Sequence, residues 1–422
     1  MTGKRNFLAV LTMALTAALG CGGGSGPAGV DPPATPPPPG QNASLRQAIV
    51  DYRYLACADS DVVALARADL VVLDAATIWS IAANSDLCAR LRAANPGIKI
   101  LAYLPAKNTR VPWAAADPAW EPFGHAWHEA LAPYRCWTTA GDTLLDWPNS
   151  WVVNILEPEC RRRLVDVVTS FQESRANKVD GVFWDYFGPT LWISPMVEPT
   201  MEGEPDMDGN GIGHFDDPAE MAGFRAASSA LLEQMQAELG AGFIQIVNGT
   251  RAATDSTFAA LTDGMFYELF PTQNFHPGPD MRLSFEPARY NNLFAARHWP
   301  RTRNGGPWLI LSNPTPCYYY DDQYQRTLLD LDDINRVVAL LTGATVSYSA
   351  NGQMEYGWPS VELALGEPLG GVAWDGETIS RQFARGSVTA TFTSGSWPLP
   401  FDFEIVQDGV VVQALDYPRH IP

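Results

Sequence analysis

Two stretches of the chain share one frame. Residues 179–189 read VDGVFWDYFGP and residues 262–272 read TDGMFYELFPT. Each runs Asp-Gly-apolar-Phe-aromatic-acid, ending in Asp185 and Glu268. A carboxylate at the end of an apolar run is costly unless it is paired, solvated or used. Two carboxylates on either side of a glycosidic bond are the usual equipment of glycoside hydrolysis. One gives its proton to the leaving oxygen; the other, ionised, is nucleophile or base. Either acid alone could cap the following turn or pair with an arginine. Both in one frame favour catalysis.

The elements that must hold them are legible as short apolar runs at 48–56, 69–75, 98–105, 181–185, 243–248, 264–268, 307–313 and 344–350. Helical patterns separate them, at 61–68, 78–95, 158–177, 217–240 and 328–343. Runs that are apolar on both faces suit buried parallel strands. Eight such units predict an α/β fold, a (β/α)8 TIM barrel over 45–350; a doubly wound sheet is the competing architecture. After it, 351–422 alternates apolar and polar around glycine turns and predicts a small antiparallel β appendage.

In this barrel the sites lie at the C-terminal ends of the strands. Asp185 would end strand four and Glu268 strand six, on the inward face and at one height. Other strand ends offer Asp74, Tyr103, Asn248, Asn313 and Tyr348 as substrate-binding residues. Trp184 and Trp192 are aromatic candidates for the same role; for Trp184 and Tyr186, which flank Asp185, packing outward on the helices is the alternative. Asp74 is a third carboxylate.

A loop at 206–217, DMDGNGIGHFDD, carries Asp206, Asp208, Asn210 and Gly211 at positions 1, 3, 5 and 6 of an EF-hand-type frame. The Ile212 carbonyl would serve at position 7 and Asp217 at position 12. Structural Ca2+ is expected there, pinning the insertion after strand four. A glycine- and aspartate-rich turn without metal is the alternative.

The chain has 422 residues, 46% hydrophobic and 18% charged, with a net charge of −19. That charge disfavours nucleic acid and anionic membrane as partners, tolerates a neutral substrate and suits cations; the carbohydrate substrate is expected from the carboxylate pair. Fourteen Trp and fourteen Tyr fit an aromatic core or sugar-stacking surfaces. Lys4 and Arg5 precede an apolar stretch at 7–20 that is too short to span a bilayer. Its end, AALGC, resembles a bacterial lipobox and makes Cys21 the lipidation site, with 1–20 a lipoprotein-type signal peptide and 21–44 a Gly/Pro-rich tether. The expectation is an exported protein, an outer-membrane or cell-surface lipoprotein or else periplasmic or secreted, touching membrane only through that anchor. Five cysteines follow Cys21. Proximity in sequence suggests Cys57–Cys88 and Cys136–Cys160 as disulfides.

Several motifs together resemble the bacterial glycosyl-hydrolase-like TIM-barrel family: VDGVFWDYF, DGMFYELF, CWTTAGDTLLDWPNSWVVNILEPECRRRLVDVV and LGEPLGG…ISRQFARGSVTATF, over about residues 48–395. The Asn-Pro that often follows the last motif is missing here. The strand-four and strand-six placement is similar to that of the alpha-galactosidase-like clan. That resemblance implies Asp185 as nucleophile and Glu268 as acid/base. A non-catalytic carbohydrate-binding surface lipoprotein on the same barrel is the rival reading, because fold does not fix function.

Overall fold

Eight short parallel strands close on themselves in a computed structural model of the chain, which describes residues 45–249, 252, 254–268, 306–312, 333–347, 363–375, 378–392 and 401–416. They are β1 (Arg46–Asp51), β2 (Leu70–Asp74), β3 (Lys99–Pro105), β4 (Gly181–Asp185), β5 (Ile244–Val247), β6 (Gly264–Tyr267), β7 (Trp308–Ser312) and β8 (Thr345–Ser347). Each pairs with the next, and β8 pairs with β1. These are the eight strands read from the sequence, so the fold is the (β/α)8 barrel. Val72, Leu101, Phe183, Ile246, Phe266 and Ile310 fill the interior. Val71, Leu73, Ile100, Val182 and Trp184 face the helical shell. Burial on both faces is why these runs lack polar alternation.

Half of the repeated frame is architectural. Asp69, Asp180 and Asp263 stand immediately before β2, β4 and β6. The backbone N–H of each donates to the carbonyl of Gln47, Ile100 or Gln245, at 2.9, 2.7 and 2.7 Å. The N–H of that same partner donates back to the aspartate Oδ2, at 2.8, 2.9 and 2.9 Å. Each aspartate thereby joins an even strand to the foot of the odd strand before it. The glycine that follows is forced by contact. A Cβ on Gly181 would lie 2.1 Å from the carbonyl oxygen of Ile244, and one on Gly264 2.0 Å from that of Trp308.

The helices are α1 (Asp59–Leu65), α2 (Ala75–Trp79), α3 (Leu87–Ala94), α4 (Pro122–Leu131), α5 (Pro158–Ser174) and α6 (Pro218–Leu239), with a further helical segment at 333–342. The single helix expected at 78–95 is broken. Buried Asn84 leaves the helical path because its side chain satisfies the loop after β1. Its Nδ2 donates to Leu55 and Thr77 carbonyls, and its Oδ1 accepts from the Cys57 N–H. Between β3 and α5 the chain forms α4 and a three-stranded sheet of 108–110, 145–147 and 150–152, which local pattern did not reveal.

The C-terminal strands β9 (Ala373–Asp375), β10 (Thr378–Phe383), β11 (Gly386–Phe392), β12 (Phe401–Gln407) and β13 (Val410–Asp416) form one antiparallel sheet in chain order. Ile379, Phe383, Val388 and Ile405 share a core with Leu309, Leu311 and Val346, so the sheet is packed on the β7–β8 side of the barrel. Arg381 donates to the carbonyls of Leu340 and Leu341, at 3.0 and 3.4 Å, where the 333–342 helix ends.

The expected disulfides are not formed. Cys57, Cys88, Cys136 and Cys160 are free and buried in the apolar shell. Burial pushes the Cys57 thiol up to about 11, and those of Cys88 and Cys160 up to about 12. Burial, and next the nearby Cys160, push the Cys136 thiol well up, so those two lie near each other without a bond between them. Cys317, Cys21 and the 1–44 segment lie outside the described residues, as do Asn313 and Tyr348. No helix among the described residues is long and apolar enough to cross a membrane.

The aspartate device can be checked directly. Asp263→Ala leaves the buried Gln245 N–H without its carboxylate acceptor. We expect a loss of about 1–3 kcal/mol in urea unfolding. An unchanged midpoint would contradict the role assigned to it.

Candidate active site

Register places the acids. In a barrel of this kind the ladder climbs about one residue per strand, so a layer of inward side chains joins alternate strands two residues out of register. Ile246 on β5 pairs with Phe183 on β4 and with Gly264 on β6. The two-residue climb therefore layers Phe183 with Phe266, and their rings meet edge to face at 5.3 Å. The next layer up joins Asp185 and Glu268. Asp74 on β2 pairs with Tyr103, which pairs with Phe183. The same climb puts Asp74 in the layer of the two acids. Three carboxylates thus share one level at the mouth, above a layer that contains Tyr103 and Asn248.

Asn248 bridges the pair. Its Nδ2 donates to Asp185 Oδ1 at 2.9 Å and to Glu268 Oε2 at 3.1 Å. The two N–H bonds of an amide diverge by about 120°, which sets these acceptors about 5 Å apart. Tyr103 donates a short hydrogen bond from its hydroxyl to Asp185 Oδ2. The backbone N–H of Tyr186 is a third donor to Asp185. Asp185 is 3% exposed. Beneath it Tyr52, Tyr103 and Phe183 form an aromatic floor, with centroids 4.4 Å and 5.8 Å apart along that series. Burial and the charge of Glu268 push the Asp185 carboxyl up to about 7, against the pull of its three donors. Glu268 is only half-buried. The titration of Asp185 belongs to the coupled pair.

Asp74 plays the structural part that a strand-end acid can play. It accepts from the Ala76 N–H as the N-cap of α2, and its Oδ2 is 3.5 Å from Arg110 Nη1. Trp184 is not at the mouth. It points outward into the helical shell, fully buried, with Nε1 donating to Gln245 Oε1 at 3.2 Å. A strand residue adjacent to an inward one faces the other way, so no sugar contact is available to it. Trp192 belongs to a stack that sequence reasoning did not assemble. Tyr186 lies parallel to Trp192, centroids 4.9 Å and planes 6° apart, and to Trp147 at 5.6 Å and 19°. The three half-buried rings come from the sheet after β3, the turn after β4 and the insertion that follows it. Tyr186 has φ 50°, a left-handed conformation unusual for an aromatic residue and held here right beside Asp185. Close to its ring, Lys107 and Asp146 form a fully buried ion pair at 2.5 Å.

The acidic loop folds back on itself in the insertion between β4 and α6. Asp206 Oδ1 accepts from the N–H groups of Gly209 and Asn210, and Oδ2 from that of Gly211. Oxygens of Asp206, Asp208 and Glu220 lie within 4.8 Å of one another. Asp217, expected as the last ligand, instead caps α6 through Oδ1 and receives Asn210 Nδ2 on Oδ2. Glu220, one turn into α6, reaches the loop in its place; its Oε1 is 2.6 Å from His214 Nδ1. Ile212 donates its N–H to Asn210 Oδ1.

No protein-family model and no curated protein matches the chain. Solved structures similar to it include Aspergillus fumigatus Ega3 in complex with galactosamine, at 14% identity over 65% of this chain and 78% of that one, TM-score 0.35. The GH36 alpha-galactosidase AgaA of Geobacillus stearothermophilus is 10% identical over 89% of this chain, TM-score 0.35. The chain spans only 55% of AgaA's length. A cyclic alpha-maltosyl-(1→6)-maltose hydrolase of Arthrobacter globiformis, with maltose, is 12% identical over 89% of this chain and 99% of that one, TM-score 0.43.

Burial of Asp185 has a consequence for stability. Its folded pKa lies above the unfolded value, so the contribution is fully present below the unfolded pKa near 3.8 and is lost as pH rises through about 7. Asp185→Asn removes that dependence. Its melting temperature relative to the parent should climb between pH 4 and 8, and a pH-independent difference would refute the buried-acid description.

Proposed function

We propose that the chain is a glycoside hydrolase that retains anomeric configuration, with Asp185 as nucleophile and Glu268 as acid/base. One observation carries this reading: Asn248 Nδ2 bridges the two acids at 2.9 and 3.1 Å. The divergence of its N–H bonds then implies a separation of about 5 Å, which suits a covalent intermediate better than an interposed water. The reactive form of the pair carries its proton on Glu268, which gives it to the glycosidic oxygen while the ionised Asp185 attacks the anomeric carbon. The bond to the leaving sugar breaks, and a glycosyl ester of Asp185 forms. Glu268, now ionised, takes a proton from water whose oxygen attacks the same carbon and frees Asp185. The three donors around Asp185 support its ionised form, and the greater exposure of Glu268 suits proton exchange with water. Trp192, with Tyr186 and Trp147, offers aromatic faces on which a sugar ring of the substrate would stack, beside Asp185.

The insertion after β4 carries the proposed Ca2+. Clustered carboxylate oxygens fit a hard cation, and the N–H groups turned onto Asp206 belong to the same folded loop. Asp206, Asp208 and Glu220 would supply the charge, with Asn210 beside them. The ion's role is to hold the loop folded; no step of the reaction runs through it. Residues 1–44 support the further proposal that the protein is exported and anchored through Cys21, which loss of fatty-acid labelling in Cys21→Ser would test.

Purified protein should release reducing sugar from some member of a panel of aryl glycosides and polysaccharides. Glu268→Gln should lower the rate by roughly 10²–10⁴-fold. Asp185→Ala with azide should yield a glycosyl azide of inverted configuration. Glycan binding without release by the parent would favour the non-catalytic rival. Chelation should lower the melting temperature by several degrees, and Asp208→Ala should abolish that response.

A further inference from the structure

Asp185 is connected to a residue outside the barrel strands. Arg110 ends the 108–110 strand of the small sheet after β3. Its guanidinium carbon lies 5.8 Å from the centroid of the Tyr103 ring. On its other side Asp74 Oδ2 stands 3.5 Å away, and Asp74 is itself fixed by the Ala76 N–H at the start of α2. Trp113 packs on the same guanidinium, at 5.0 Å from the ring centroid. The chain Asp74–Arg110–Tyr103–Asp185 thus runs from the N-cap of α2 to the carboxylate at the end of β4.

We propose that Arg110 is a positioning residue for Asp185, acting through the Tyr103 hydroxyl. A cation held beside a phenol draws charge from its O–H and makes it a stronger donor, because polar neighbours polarise one another at low local dielectric. Tyr103 then holds the Asp185 carboxylate in place and favours its charged form. Asp74 sets how much of Arg110 is available, because it competes for the same guanidinium. The other groups that face Asp185 are Glu268 from β6, Tyr52 from β1, Asn248 from β5 and the neighbouring Tyr186. Of these Glu268 opposes ionisation and Asn248 favours it. Arg110 is the one cation placed on Tyr103 among the described residues.

This inference gives Asp185 its meaning through the glycosidase reading, but its test does not need turnover. The protonation midpoint of Asp185 can be followed by infrared difference spectroscopy, parent against Asp185→Asn. Tyr103→Phe and Arg110→Gln should each raise that midpoint, by about one pH unit for Tyr103→Phe and less for Arg110→Gln. The double variant should shift it no further than Tyr103→Phe alone. Asp74→Asn keeps the helix cap, frees Arg110 and should move the midpoint down. Loss of either charge gives the same two signs by direct Coulomb interaction, so non-additivity with Tyr103→Phe is what marks the route through the hydroxyl. If Arg110→Gln leaves the midpoint in place, or if its shift adds in full to that of Tyr103→Phe, the proposal is overturned. If Arg110→Gln fails to fold, Asp74→Asn in the Tyr103→Phe background decides it: a shift undiminished there overturns the proposal. Should the parent hydrolyse glycosides, the acidic limb of kcat/KM should follow the same order. A protein with the expected midpoints and no turnover would sink the glycosidase reading and leave the relay standing.

Discussion

The geometry of the mouth depends on the climb of the barrel ladder. Parallel strands that tilt around a barrel axis cannot keep equal residues at equal heights. A residue on β6 must run two further than its ladder partner on β4 to reach the same layer. The frame Asp-Gly-apolar-Phe-aromatic-acid does this twice over. Its aspartate and glycine fix the foot of the strand against the neighbouring strand, its phenylalanine fills the middle layer, and its acid arrives at the top. Asp185 and Glu268 meet because the strands beneath them are clamped by the same contacts.

That placement is expensive for one acid. Asp185 sits on aromatic rings with a second carboxylate within reach of the same amide. Burial and repulsion raise its proton affinity; Tyr103, Asn248 and the Tyr186 N–H lower it. The balance leaves Asp185 titrating near neutral pH as one member of a coupled pair. The two acids stand in different environments, Asp185 locked and buried, Glu268 more exposed.

The barrel supplies the level, while segments outside it supply much of the environment. Trp147 and Arg110 come from the sheet inserted after β3, and Trp192 from the insertion after β4. Both insertions are tied to the strand ends by stacking and by ion pairs. The left-handed Tyr186, held between these contributions, turns the chain away directly after Asp185. Loops positioned by a rigid scaffold are where function usually concentrates.

The sequence by itself determined the barrel, because eight doubly buried strands leave eight apolar runs. It determined the meeting of Asp185 and Glu268 as well, since a period of two and a repeated frame fix which way a strand-end side chain points. Tyr103, Asn248 and Asp74 were legible for the same reason. The partners were not. Arg110, Trp147 and Tyr186 reach the site through tertiary contacts that no local period encodes. Trp184 was misplaced by adjacency, although the same alternation sends it outward. Asp217 caps α6, and one turn on Glu220 reaches back to the acidic loop, a contact that a frame counted along the chain does not contain. The free cysteines follow the same rule: spacing records distance along the chain, and only the packed structure decides which groups face each other.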